Sequence, residues 1–243
     1  MPNHRQQATR IKPSSGPANC FQMQVTRQQQ ELATRQTPRL SRRCRKGTIM
    51  TVTTLDSSSA LVIIDLQNAI IDAPTVPYTG REVLARAIEL ARAFHEHSAP
   101  VVLVRVTARA DGSDAAPGRS EIPSRPGSLP EGWDVIVDDL AGHPDDITVT
   151  KRTWGAFHGT DLDLQLRRRG VTQIVLAGLT TSIGVESTAR AAYEHGYHVT
   201  LATDAMADLD VEAHRNSIER IFPLLGETGR TTEIVEMLAK ARN

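Results

Sequence analysis

Residues Leu176–Ala192 read LAGLTTSIGVESTARAA. The first of them complete an apolar run, QIVLAG over 173–178, with the length and composition of a strand buried on both faces. From Gly184 the stretch GVESTARAAYEH (184–195) spaces its apolar residues as a helix does. Only a short polar turn separates the two. A strand that passes directly into an amphipathic helix is half of a βαβ unit, so the fold turns on whether this alternation recurs.

It recurs along most of the chain. The runs ALVIIDL (60–66), PVVLVRVT (100–107), ITVT (147–150) and HVTLATDA (198–205) are rich in Val, Ile and Leu, and a short sixth strand is expected near Glu227–Thr231. Helical spacing fills 80–97, 160–169, 210–222 and 231–241. The pattern predicts an α/β protein: a three-layer α/β/α, Rossmann-like domain over residues 50–243 with a mostly parallel sheet of about six strands. Segment 108–146 is dense in Gly, Pro and Asp and follows the carboxyl end of the second strand. In open α/β sheets that edge binds ligands, so the segment is predicted to wall a pocket.

Charge is segregated. Residues 1–50 hold ten Lys or Arg against the single acid Glu31, a balance of +9, so the remaining 193 residues carry −9 in a chain with no net charge. Residues 1–49 also lack hydrophobic periodicity and are expected to be a disordered basic tail or a gene-start extension ahead of Met50. The run RLSRRCRK could instead form an anion-binding arm, and a transit peptide fits the scarcity of acids but lacks amphipathic periodicity. With an acidic folded part, neither nucleic acid nor membrane is expected as a partner. No run approaches the roughly 18 apolar residues of a span, and a cytoplasmic location is expected. Both cysteines, Cys20 and Cys44, lie in the tail, so the predicted domain has no thiol for a disulfide, a thiolate metal site or a nucleophile.

Two charged residues stand where the strands end. Asp65 follows Ile63 and Ile64, and a carboxylate there needs hydrogen bonds, a cation or a function; a satisfied turn cap explains it equally well. Lys151 closes ITVTK and is expected either to point into the same crevice or to be an ordinary edge lysine. Trp154 and Phe157, set between Gly155 and Gly159, resemble a pocket wall more than a solvated loop. Arg167, Arg168 and Arg169 suit a helix C-terminus better than a phosphate site. The histidines stand at no metal-ligand spacing; His95 and His97 are expected to be solvated at a helix end, and His158 is the one near the proposed pocket.

The segments ALVIIDLQ, KRTWGAFHGTDLDLQLRRRG and IVLAGLTTSIGVESTARAAYEHGYHVTLATDA, in this order, resemble the isochorismatase-like hydrolase family, which includes nicotinamidases, N-carbamoylsarcosine amidohydrolases and isochorismatases. The resemblance runs from about Ala60 to Asp208. It implies an Asp–Lys–Cys catalytic triad at Asp65, Lys151 and Gly184, with glycine in place of the cysteine, as in an uncharacterised bacterial branch of the family. In the amidohydrolases the thiolate attacks a carbonyl, the Asp takes its proton, and backbone N–H groups after the turn hold the oxyanion. The isochorismatases are similar to this chain in carrying Gly there; they protonate a vinyl ether, which needs an acid and no sulfur.

The resemblance further implies a cis peptide between Leu179 and Thr180, a small-molecule substrate contacted by Trp154, Phe157, Thr180 and Thr181, no cofactor and no metal, and a homodimer or homotetramer. Two positions depart from the isochorismatases: Val106 stands near a family Gln and Thr180 near a family Tyr. The nicotinamidase branch is excluded, since TARADGSDAAPG carries no histidine set. Two readings follow, a cofactor-independent hydrolase working through Asp65 and Lys151, or a catalytically silent binding module.

Overall fold

The computed structural model describes residues 52–109, 111, 113–114, 121 and 130–242. The tail expectations and the centre of segment 108–146 therefore lie outside the described residues. Those described belong to one unit, Thr48–Asn243. Six strands, β1 (Ser59–Ile64), β2 (Val101–Val106), β3 (Ile147–Lys151), β4 (Gln173–Leu179), β5 (His198–Ala207) and β6 (Glu227–Gly229), form a single sheet in the order β3-β2-β1-β4-β5-β6. Every pairing is parallel. The helices are α1 (Asn68–Ile71), α2 (Gly80–Glu96), α3 (Leu162–Arg168), α4 (Glu186–Glu194), α5 (Val211–Asn216), α6 (Phe222–Leu225) and α7 (Thr231–Arg242). None of the described helices is long and apolar enough to cross a membrane.

Alternation along β1 builds the three layers, because successive strand side chains point to opposite faces. Leu61 and Ile63 pack with Val83, Leu90 and Phe94 of α2 and with Ile234 and Leu238 of α7. Ala60, Val62 and Ile64 pack on the other face with Leu162 and Leu166 of α3, Ala189 of α4 and Phe222. β1 and β4 are buried along their whole lengths, which is why they read as unbroken apolar runs. A capping box fixes the start of α2: Thr79 Oγ1 accepts from the Glu82 N–H at 3.2 Å, and Glu82 accepts from the Thr79 N–H at 2.8 Å.

The elements depart from the periodicity at three places. β1 ends at Ile64 rather than 66, because Asp65 turns out of the strand with φ +52°. The helix expected from residue 184 is preceded by a π-helical turn, Thr181–Val185. The helix expected over 210–222 is broken into α5, a second π-helical turn (Ser217–Ile221) and α6, where Pro223 has no N–H to continue a regular ladder.

Gly178 sets how closely the two central strands approach. Its φ is +116°, and a Cβ there would lie 2.1 Å from the Ile64 carbonyl oxygen. Just before it, the pairing of β4 with β5 shifts register. Backbone cannot yield as a side chain tip can, so Gly178→Ala should destabilise the fold by about 3 kcal/mol or more. Denaturant unfolding that finds a loss under about 1 kcal/mol would show that the strands can part without cost at this point.

Candidate active site

Asp65 and Lys151 meet at the carboxyl edge of the sheet. The turn at Asp65 holds its N–H against Val104 O at 2.9 Å, and Asp tolerates the left-handed backbone better than most residues. Its side chain is buried, with the residue only 6% exposed. Oδ2 accepts from Lys151 Nζ at 2.7 Å, while the buried Oδ1 has no hydrogen-bond partner among the described residues. Burial pushes the Asp65 carboxyl up to about 6, against the opposing pull of the Lys151 ammonium. Oδ2 is thus pinned, while the backbone N–H of Val106, which also favours the charged form, is bonded to Gln67 and leaves Oδ1 without a described partner.

Lys151 does not share that freedom. Besides Asp65, its Nζ donates to the Thr153 carbonyl at 3.2 Å and the Trp154 carbonyl at 2.9 Å. An ammonium has three protons, so all are committed. Lys151 therefore acts on the site by its charge and by fixing the Asp65 rotamer, not by reaching beyond it.

Gln67 is a site residue that sequence reasoning missed. It is fully buried, and its amide forms two bonds with one residue: Nε2 donates to Val106 O at 2.9 Å and Oε1 accepts from Val106 N–H at 2.7 Å. The side chain thus continues the sheet past the end of β1 and ties down β2 beside Asp65. Gln67 also bridges Ile136, and Asn68 N–H donates to Val135 O at 3.0 Å, so the described part of segment 108–146 closes over the strand end. The signal was a buried-strand run followed at once by Asp-Leu-Gln.

The turn after β4 supplies the third side. The Leu179–Thr180 peptide is cis. Thr180 O accepts from the Ile183 N–H at 3.3 Å and the Val185 N–H at 3.1 Å, and the Ser182 N–H donates to Asp208 Oδ2 at 2.5 Å. Three of the turn's amides are thus already bonded within the fold. Gly184 is buried, and a Cβ built on it would lie 3.3 Å from Asp65 Oδ2, 3.3 Å from Leu179 O and 3.0 Å from Ile64 Cγ2. Position 184 therefore faces the carboxylate directly.

Two residues expected to contact substrate have their side chains turned into the fold. Thr181 is fully buried, and its hydroxyl pairs with His214 Nδ1 at 2.9 Å. Burial holds the His214 imidazole below its usual range, with Asp208 pulling the other way. Phe157 is also buried; its ring stacks on His195 at 5.0 Å and leans on Tyr197 at 5.9 Å, filling the layer beneath α4. An aromatic between glycines has the same sequence signature whether it lines a cleft or plugs a helix layer. Trp154, by contrast, is 68% exposed on the segment whose carbonyl holds Lys151. Thr180 is partly exposed, and His158 lies exposed on the loop. His214 and Asp208 were not singled out, since only the tertiary fold brings them to the turn.

Comparison with known proteins identifies the family. The isochorismatase domain model matches residues 59–233. An uncharacterized isochorismatase family protein of Escherichia coli O157:H7, YecD, is 45% identical over 181 residues, covering 74% of this chain and 96% of the relative. The ureidoacrylate amidohydrolase RutB of Variovorax paradoxus is 27% identical over 217 residues, covering 76% and 83% respectively. Among solved structures, an isochorismatase family protein from Burkholderia thailandensis superposes with a TM-score of 0.74 at 44% identity, over 76% of this chain and 98% of that one. The fold is thus that of the isochorismatase-like α/β proteins. The chain belongs to the isochorismatase family.

Crowding at position 184 has a measurable consequence. Ile64 is a fully buried strand residue and Leu179 O is backbone, so neither gives way easily. Gly184→Ala should cost about 1–3 kcal/mol in denaturant unfolding, the range for an overpacked core. A neutral or stabilising result would mean that the space beside Asp65 is open to a side chain.

Proposed function

We propose that this isochorismatase-family hydrolase acts on a small polar substrate by acid–base chemistry through Asp65 and Lys151, without a cysteine nucleophile, on a vinyl ether of the isochorismate type. The observation that carries the reading is the buried Asp65 carboxyl raised to about 6, its Oδ1 without a hydrogen-bond partner among the described residues and its Oδ2 3.3 Å from where a Cβ at the glycine of position 184 would lie. A nucleophile is lacking at 184, whereas a proton donor is in place. Vinyl-ether hydrolysis needs that donor and no covalent intermediate.

In the proposed reaction, Asp65 gives its proton to the terminal carbon of the enol ether, and the ether oxygen shares the positive charge left on the adjacent carbon. Water attacks that carbon and returns a proton to the Asp65 carboxylate. The hemiketal so formed collapses, breaking the carbon–oxygen bond to release an alcohol and a ketone, which is pyruvate when the ether is an enolpyruvyl one. Lys151 limits how far burial can raise the acid, keeping it near the pH at which it must both give and regain a proton. Trp154 and Thr180 form the substrate-facing rim in this reading, while Phe157 and Thr181 support the turn from within.

Asp65→Asn preserves shape and removes the proton, so activity of the full chain on isochorismate should fall by about 2–4 orders of magnitude. For the unsubstituted protein kcat/KM should decline as pH rises through about 6, because the acid is then ionised before substrate arrives. Full activity of Asp65→Asn on any substrate the wild type turns over would overturn the assignment.

A further inference from the structure

A second cluster of ionisable side chains lies at the opposite edge of the sheet, outside the site described above. His95 stands in the last turn of α2, while His143 and Asp146 belong to the loop that leads into β3. Asp146 precedes Ile147, the first residue of β3, whereas Lys151 is its last. At about 3.3 Å per residue, the five steps from Asp146 to Lys151 separate the cluster from the Asp65–Lys151 pair by roughly 16 Å. The cluster is therefore independent of Asp65.

Its members are held close together. His95 Nε2 lies 2.7 Å from Asp146 Oδ1, and the imidazoles of His95 and His143 stack with centroids 3.7 Å apart and planes inclined by 9°. One donor atom from each of the three residues lies within 4.8 Å of the others, the one such group of three among the described residues. The Asp146 side chain is 6% exposed, yet its Oδ2 has no hydrogen-bond partner among them. A buried carboxylate oxygen without a partner calls for a missing water, proton or ion. His95 and His143 border a cleft of about 300 Å³ that Asp145 and Arg169 also line, with Asp146 buried behind it. Arg169 is engaged elsewhere, donating to the backbone and side-chain oxygens of Gln165 at 2.9 and 2.8 Å.

We propose that His95, His143 and Asp146 bind a divalent transition-metal ion, zinc being the one their donors suit best. Two imidazole nitrogens and a carboxylate oxygen are a three-ligand zinc set that leaves a fourth position for water or an incoming group. Zinc bonds of about 2.0–2.1 Å place tetrahedral donors roughly 3.4 Å apart, so the His143 donor atom travels at most about 1.4 Å while its ring turns out of the stack on His95 to aim a lone pair at the ion. The ion takes the place of the proton between His95 Nε2 and Asp146 Oδ1. It also ties the end of α2 to the entry of β3, so its role is to lock the helix to the edge strand. Sequence spacing concealed the site, because 48 residues separate His95 from His143 and only the fold brings them together.

The test uses the full chain stripped with a chelator, titrated with zinc by calorimetry. Cys20→Ser and Cys44→Ser are included so that thiols outside the cluster do not compete. The expected result is one ion per chain, with affinity reduced at least about 10-fold by His143→Ala, a change at an exposed residue. Zinc at one hundred times its Kd should raise the thermal midpoint by about 5–10 °C in the parent and not in His143→Ala. Asp146→Asn, which keeps the shape of the buried group, should weaken binding likewise. No binding, or binding and a thermal shift unchanged by His143→Ala, would overturn the proposal.

Discussion

The site depends on a carboxylate that the fold buries. Asp65 stands where the central strand β1 ends, and its burial costs more than the contact with Lys151 returns, so its proton is held to about 6. A pair chosen for stability would bring both oxygens into hydrogen bonds. Here one is pinned by Nζ at 2.7 Å and the other is bare. In the proposed reaction, that asymmetry lets the ion pair serve as a proton donor.

The surrounding architecture holds that asymmetry in place. Gly178 lets β4 approach β1 to the point where a Cβ would meet the Ile64 carbonyl, and this draws the turn after β4 up to the carboxylate. Gln67 replaces a missing ladder pair with its own amide and fixes Val106 at the far side. Asp208 fastens the turn through Ser182, and Thr181 anchors it to His214. The Thr153 and Trp154 carbonyls take the remaining protons of Lys151, so the cation can serve only Asp65. Lys151 and the turn at Gly184 thereby meet at Asp65 Oδ2.

Much of this was legible in the sequence, for identifiable reasons. Strands buried on both faces must be continuous apolar runs, and the interruption of such runs by Asp65 and Lys151 marked both residues. The family motifs placed Gly184 in the turn. Sequence could not show what Gln67, Asp208 and His214 do, since a buried polar side chain is recognisable only by the partner that the fold brings to it. Phe157 and Thr181 were assigned to substrate for the same reason in reverse: their residue types suit a cleft, but their partners, His195 and His214, come from later in the chain. His95, His143 and Asp146 are separated by a whole strand and loop. The helix over 210–222 failed on a local cue, Pro223, that the apolar periodicity masked.

The central claim is that Asp65 is a neutral acid at the pH where a proton must be given. Carbon-13 NMR of the aspartate carboxyl groups, with Asp65→Asn used to assign the resonance, measures this directly. The account predicts a titration midpoint near 6, which should rise further in Lys151→Met because the cation that lowers it is gone. A midpoint at or below the ordinary value of 3.8 would mean that Asp65 is simply the anion of a salt bridge, and would contradict the account.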